Sequence, residues 1–389
     1  MFPVRASVRG TLSRQAVIST AATVAALAVV IVAWSSGLQV MNATSGSGES
    51  ILATERIASG ADAVAAMAVA PDGRIFLAEQ RTGRVRVIVA GLLVPDAVIT
   101  FVLRASGPED GLTGLAAAPD FASNNLLYAA YTYEDRNKSD QPLNRIVRFH
   151  VTPENRSSDL EVIRDDLPGG DFHNCNTLRF GPDGKLWFCN GDTGWTNDVS
   201  QSVASPEGKI HRINADGSIP VDNPFPHSSV YALGFRNPFG LGFEPNTGRL
   251  FVADNGPECC DEVDLVMPGG NYGWPYWKGD EVAEAGAPNE RFIGPLWTRH
   301  VGGITRLLFV SANVVDALAP PRDLVLLVGT FGDASMYALS FDSSTKVRAV
   351  QHLVVGFPVV DLAFAPDGAV LLASYSGEVR RIVPSRPAR

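Results

Sequence analysis

Met67-Ala68-Val69-Ala70-Pro71-Asp72-Gly73-Arg74-Ile75-Phe76-Leu77-Ala78 decides the fold. Two apolar runs of strand length flank Pro-Asp-Gly, a hairpin turn signal: Pro presets φ, Asp bonds the backbone just ahead, and Gly takes the left-handed position. Working outward, the same unit recurs as Ala118-Pro119-Asp120-Phe121, Gly181-Pro182-Asp183-Gly184, Glu244-Pro245-Asn246-Thr247-Gly248 and Ala365-Pro366-Asp367-Gly368. Its prolines are 48, 63, 63 and 121 residues apart. The last interval is close to twice the others, so a further unit is expected within Gly302 to Leu339. A third strand follows in most units, as in Gly83-Arg84-Val85-Arg86-Val87 and Gly377 to Val383. Hairpins at this period with almost no helical pattern predict an all-β, six-bladed propeller of four-stranded blades. A β-sandwich would space its strands more evenly, without long pieces between repeats.

The chain has 389 residues, 46% hydrophobic and 19% charged, enough for one large packed domain. Ahead of the repeats, Arg5, Arg9 and Arg14 precede an uncharged run from Ala16 to Trp34. Such a run spans a bilayer as a helix, and the arginines orient it with the remainder outside. The expected organisation is a basic cytosolic segment 1–15, a signal anchor or transmembrane helix 16–34, a Ser/Gly-rich tether 35–55 and the propeller 56–389. The propeller would face the extracellular space, periplasm or a lumen, or be secreted if the leader is cleaved. With the three arginines set aside, 29 basic residues (32 less 3) face 41 acidic ones, which disfavours nucleic acid as a partner. Sequons stand at Asn42, Asn137 and Asn155. Cys175 and Cys189 flank the hairpin turn at Gly181–Lys185 and suit a cross-strand disulfide; Cys259-Cys260 could bridge each other, pair elsewhere or bind metal.

Between the repeats lie loops rich in Gly, Pro and polar residues. The first is His173-Asn174-Cys175-Asn176-Thr177-Leu178-Arg179-Phe180-Gly181-Pro182-Asp183-Gly184, and the second is Gly234-Phe235-Arg236-Asn237-Pro238-Phe239-Gly240. The third runs from Asp254-Asn255-Gly256-Pro257 through Asp261-Glu262 to Gly269-Gly270-Asn271-Tyr272-Gly273-Trp274-Pro275. In a propeller such loops converge on one face of the channel, so His173, Arg236 and Gly256 can meet there. Carbonyls and carboxylates turned to one point suit a hard cation such as Ca²⁺.

Together these motifs resemble the glucose/sorbosone dehydrogenase family, the soluble quinoprotein aldose dehydrogenases, over roughly Gly60 to Pro384. The resemblance implies oxidation of the C1 hydroxyl of an aldose to a lactone by pyrroloquinoline quinone (PQQ) with Ca²⁺, the electrons then passing to an acceptor. It implies His173 as the general base and Asp192 as the carboxylate that orients it. Arg236 and Asn237, with a weaker signal at Gln80, fall at the cofactor. Gly256 and Pro257 match carbonyl ligands of Ca²⁺, and Asp261 and Glu262 match the acidic pair below that loop. Tyr272, Trp274 and Trp277 are expected to pack the blade.

Three positions depart from the family pattern. Cys175-Asn176 replaces Gly-Gly or x-Gly after the histidine, Gly329-Thr330-Phe331-Gly332 lacks a lysine, and Val360-Asp361 lacks an arginine. Each lost charged hydrogen bond would weaken a tricarboxylate by about 1–3 kcal/mol, unless another cation such as Arg299 or Arg306 points inward. Two other readings stay open. One is a non-catalytic Ca²⁺-stabilised cell-surface propeller that binds a protein or glycan. The other is a lactonase-type hydrolase, which needs several side-chain carboxylates on its metal.

Overall fold

The computed structural model describes residues 49–175, 177–194, 198–257, 259–279, 281–282, 292–300, 302–315, 323–342 and 346–383. The expected anchor at 16–34 lies outside them, and among the described residues no helix is long and apolar enough to cross a membrane.

Six antiparallel blades are wound in chain order, each with its first strand innermost. Those inner strands are Val64–Val69, Leu112–Ala117, Leu178–Phe180, Pro238–Phe243, Ile304–Ser311 and Val359–Phe364. The repeat reads as expected at the turns. In the first blade Gly73 N donates to Ala70 O at 3.0 Å, Gly73 has φ 87°, and Asp72 Oδ1 accepts from Arg74 N at 3.0 Å. Gly184 and Gly368 repeat that bond to Gly181 and Ala365, both at 2.9 Å.

The hidden unit is blade 5, Ile304–Ser311 to Val347–Val354. Its first hairpin carries a 3-10 turn at Ala312–Val314 in place of Pro-Asp-Gly, which is why the repeat is silent there. In blade 2, Phe121 stands where glycine is expected; a helical turn, Phe121–Asn124, fills the space, and Asn125 takes the left-handed conformation at φ 52°.

One strand lies within the expected tether, and a second straddles its boundary with the propeller. Glu49–Ile51 pairs in parallel with the outer edge of blade 5. Thr54–Ala58 is the outermost strand of blade 6, pairing Glu55 with Arg381, so the two ends of the propeller close one blade.

The apolar core is divided into six wedges, one between each pair of neighbouring blades. Twisted sheets arranged radially meet face to face, so the central strands of the blades bury residues on both sides and read as near-continuous apolar runs. Ile75–Glu79, Leu186–Asn190, Leu250–Asp254 and Val370–Ser374 are buried at every position.

A polar cluster crosses the propeller axis. Arg306 of blade 5 is 1% exposed and lies 3.3 Å from Asp361 of blade 6. It donates to the Phe239 carbonyl of blade 4 at 3.0 Å and to the Thr177 hydroxyl. Arg179 of blade 3 reaches the same Asp361, which also accepts from Met67 N of blade 1 at 2.7 Å.

Candidate active site

His173 sits in the loop that enters blade 3, with φ 56° and 8% exposure. A non-glycine residue holds that conformation only when its surroundings over-determine it. They do so here. Asn174 ties the loop by donating to Gly170 O at 2.7 Å and accepting from Gly170 N at 2.9 Å, and Cys175 is bonded to Cys189. His173 N itself donates to Glu109 Oε2 at 2.8 Å.

The imidazole faces Asp192, with Nδ1 to Oδ1 at 2.5 Å. Asp192 is 3% exposed and also accepts from Gly194 N and Trp274 Nε1, both at 2.8 Å. A carboxylate on Nδ1 selects the tautomer that leaves the Nε2 lone pair open, and among the described residues none bonds Nε2. Gly191 is required for this convergence, since a Cβ there would stand 2.3 Å from His173 O and 3.0 Å from Arg236 O.

Arg236 and Asn237 follow in the loop entering blade 4. Both backbone amides donate to Asp254, at 3.0 and 2.7 Å, and burial pushes that carboxyl up to about 7. Arg236 Nη1 donates to the carbonyls of Asn255 and Gly256 at 2.9 and 3.0 Å, and its guanidinium lies 5.5 Å from the Trp274 ring. Asn237 Nδ2 donates to Glu109 Oε2 at 3.2 Å, while its Oδ1 is buried without a partner. A crevice beside Arg236 is lined by Gly256, Pro257, Glu262, Trp274, Trp277 and Lys278.

The remaining expected residues sit close by and face other groups. Asp261, 0% exposed, accepts from the amides of Gly256, Gly302 and Gly303 at 3.2, 2.8 and 2.8 Å, so its oxygens brace two loops. Glu262 accepts from Gly279 N at 2.5 Å while lining the crevice. Gln80 donates to the carbonyls of Pro108 and Asp110 at 3.0 and 2.7 Å and accepts from Tyr375 at 2.9 Å, linking the first and last blades. Cys259 and Cys260 bridge each other, which removes them as metal ligands. Among the described residues no cluster of three or more His, Cys, Asp or Glu could hold a metal, so the donor set of a lactonase-type hydrolase is missing there.

Neither alternative cation points inward unpaired. Arg299 is joined to Asp333 at 2.8 Å and stacks on Tyr337, and Arg306 belongs to the axial cluster. Asn176 lies outside the described residues.

Two contributors were missed in the sequence. Glu109 lies in Gly107-Pro108-Glu109-Asp110-Gly111, and its Gly/Pro-plus-acid composition matches that of the Asp254–Asp261 loop. Trp274 was expected only to pack, yet its indole N–H reaches Asp192 from the neighbouring blade.

The closed propeller thus carries an imidazole–carboxylate pair and, beside Arg236, a crevice lined by charged and aromatic side chains. The chain belongs to the glucose/sorbosone dehydrogenase family, whose model matches residues 62–381. Quinoprotein glucose dehydrogenase B of Acinetobacter calcoaceticus is 34% identical over 234 residues, covering 53% of this chain and 48% of that protein. The match thus spans about half the length of that relative. Aldose sugar dehydrogenase YliI of Escherichia coli K12 is 25% identical, over 82% of this chain and 89% of its own. An oxidoreductase (glucose dehydrogenase) of Thermus thermophilus superposes with a TM-score of 0.73 and 28% identity, over 85% of this chain and all of that one.

Proposed function

We propose that the protein is a quinoprotein aldose dehydrogenase that works outside the cytosol and is held to a membrane by segment 16–34. The observation that carries this reading is the His173–Asp192 pair at 2.5 Å, with Nε2 open, one loop away from the Arg236 crevice.

The residues fit the cofactor in kind. A planar anionic quinone suits a guanidinium beside an indole face, and the buried, unpartnered Oδ1 of Asn237 awaits a donor or a cation. Gly256 and Pro257 would supply carbonyls to Ca²⁺; one of them already accepts from Arg236, and a carbonyl oxygen has a second lone pair to offer. PQQ, when bound, supplies the two-electron oxidant for C1 of the sugar, and an electron acceptor regenerates it.

In this reading the chain's own residues move and hold the proton. His173 Nε2 takes the proton from the C1 hydroxyl, and Asp192 holds the ring in the basic tautomer and offsets the imidazolium charge. Trp274 and Gly194 hold Asp192 in turn. Glu109 fixes the His173 backbone and the Asn237 amide with one oxygen, which sets the spacing between base and cofactor side.

The test is calorimetric titration of Ser45 to Arg389 with PQQ in Ca²⁺, followed by aldose-dependent dye reduction. Tight binding and activity abolished in His173→Ala are expected; absence of PQQ binding would sink the reading. In that event the non-catalytic, ligand-binding propeller becomes the better account, and the engagement of both Arg299 and Arg306 elsewhere already favours it over an enzyme with a full set of cations.

A further inference from the structure

On the face opposite the His173 loop, blades 3 and 4 part to leave a cleft of about 370 Å³, within the usual size of a ligand pocket. It lies at the far ends of two inner strands that begin at the candidate site. Leu178–Phe180 follows the His173 loop and leads to the turn at Pro182, and Pro238–Phe243 follows Arg236 and leads to the turn at Gly248. Six extended residues span about 20 Å, so the cleft and the Arg236 crevice are separate. At the matching place between blades 1 and 2 the space is filled. There Phe121, 0% exposed, packs on Phe76, and Arg74 covers both rings while donating to Thr152 O and Asn155 Oδ1. The cleft therefore belongs to blades 3 and 4 and is not a by-product of the repeat.

Its lining has an apolar and a polar side. Tyr231 and Phe243, both partly exposed, stand edge-on to the buried Trp187 with ring centres 4.5 and 5.6 Å away, which makes an aromatic floor. The half-exposed Met267 adds an apolar wall. On the polar side Arg212, 6% exposed, donates to Asp183 Oδ2 at 2.8 Å and to both oxygens of Asp222 at 2.8 and 3.0 Å. Trp187 Nε1 donates to the other oxygen of Asp183 at 3.2 Å. Both carboxylates are thus held in place, and each oxygen keeps a lone pair for a further donor. Charge narrows the ligand class. Arg212 and Arg249 line the cleft with Asp183 and Asp222, and Glu244 pairs with Arg249, so the group carries one surplus negative charge. That turns anions away and offers fixed acceptors to hydroxyl donors. A pyranose ring has such hydroxyls at its edge and a C–H face for the aromatic floor.

We infer that this cleft is a second, non-catalytic carbohydrate site. It takes a neutral pyranose ring of a glycan, with one ring face on Tyr231 and Phe243 and hydroxyls on Asp183 and Asp222. A chain held there lies away from His173, so the site anchors the protein to a polysaccharide and does not feed the reaction. The inference is independent of the quinoprotein reading, because a propeller that binds no PQQ would hold the same ligand.

The experiment titrates wild type, Tyr231→Ser and Asp222→Ala with cellotriose and with maltotriose by calorimetry, in the absence of PQQ. Circular dichroism checks the fold of each variant. The Asp222 side chain is 65% exposed, so Asp222→Ala decides alone if Tyr231→Ser fails to fold. Sugar bound at the candidate active site is common to all three proteins, and the difference between them reports the cleft. For at least one trisaccharide, one binding event is expected to weaken tenfold or more in each folded variant, with PQQ affinity as in wild type. A smaller fall in either folded variant for both sugars, or wild type that binds neither trisaccharide, overturns the inference whatever the outcome with PQQ.

Discussion

Trp274 donates its indole N–H to Asp192 Oδ2 across 2.8 Å, so a side chain of blade 4 holds the carboxylate that pairs with His173 of blade 3. The bond is the one polar use an indole has, and it fixes a carboxylate that is 3% exposed. Trp274→Phe keeps an aromatic face near Arg236 and Lys278 and removes the N–H donor together with the pyrrole half of the indole. A loss of about 1–2 kcal/mol of transition-state stabilisation is expected, roughly a tenfold fall in kcat with little change in KM. Steady-state kinetics of the PQQ-loaded enzyme check it, and an unchanged kcat would show that Asp192 needs no such support.

His211 makes the protein sensitive to acid at a point away from the candidate site. It is fully buried, stacked on Phe188 at 4.5 Å, with Nε2 on the Pro206 carbonyl and Nδ1 on Ser229, and burial pushes it down to about 3. The unfolded chain binds a proton near pH 6.5 that the native ring refuses, so the unfolded state carries more protons between about 3 and 6.5. Stability therefore rises with pH across that window, by up to ~1.4 kcal/mol per unit, and levels off above it. Urea titrations from pH 4 to 8 should show a shallower slope in His211→Gln than in wild type.

Removing Arg306 strands charge at the axis. In Arg306→Met the buried Asp361 keeps Arg179 and the amides of Met67 and Leu362 but loses its fully buried cation, and an expected loss of about 3–5 kcal/mol follows from breaking a buried pair on one side. Chemical denaturation measures it. A variant as stable as wild type would mean that the cluster is replaceable by apolar packing.

The Cys175–Cys189 bridge closes a loop across 14 residues and anchors the segment that carries His173. Cys175→Ser with Cys189→Ser should cost about 3 kcal/mol of stability in the chain-entropy account. It should also lower kcat, because the left-handed conformations at His173 and Cys175 lose one of their restraints. Equal kcat in the double variant would assign the bridge to stability alone.

The repeat was legible wherever Pro-Asp-Gly or its close kin makes the turn, because that turn is chemistry local to four residues. Blade 5 was found only by counting, since Ala312–Val314 turns without those residues. The outer strand of blade 6 could not be read at all: Thr54–Ala58 is polar at its middle and finds its partner, Val379–Ile382, more than three hundred residues away. In the candidate site the His173–Asp192 pairing and the Arg236–Asn237 placement followed from motif residues. Glu109 and Trp274 did not, because each acts on a residue of another blade, and one sequence holds no local mark of such a contact. The oxygens of Asp261 were expected toward a metal; their engagement by Gly302 and Gly303 amides depends on a blade 5 loop that no local pattern indicates.

The pairing of Glu55 with Arg381 also sets an order of events. Thr54–Ala58 has to wait, unpaired, for Val379–Ile382 before the ring can shut. Until then the nascent chain carries an open sheet edge on the last blade, the kind of edge that recruits other chains. Closure is therefore a late, long-range step, and a cut that removes either strand would reopen the same seam, the two strands acting as the halves of one fastener.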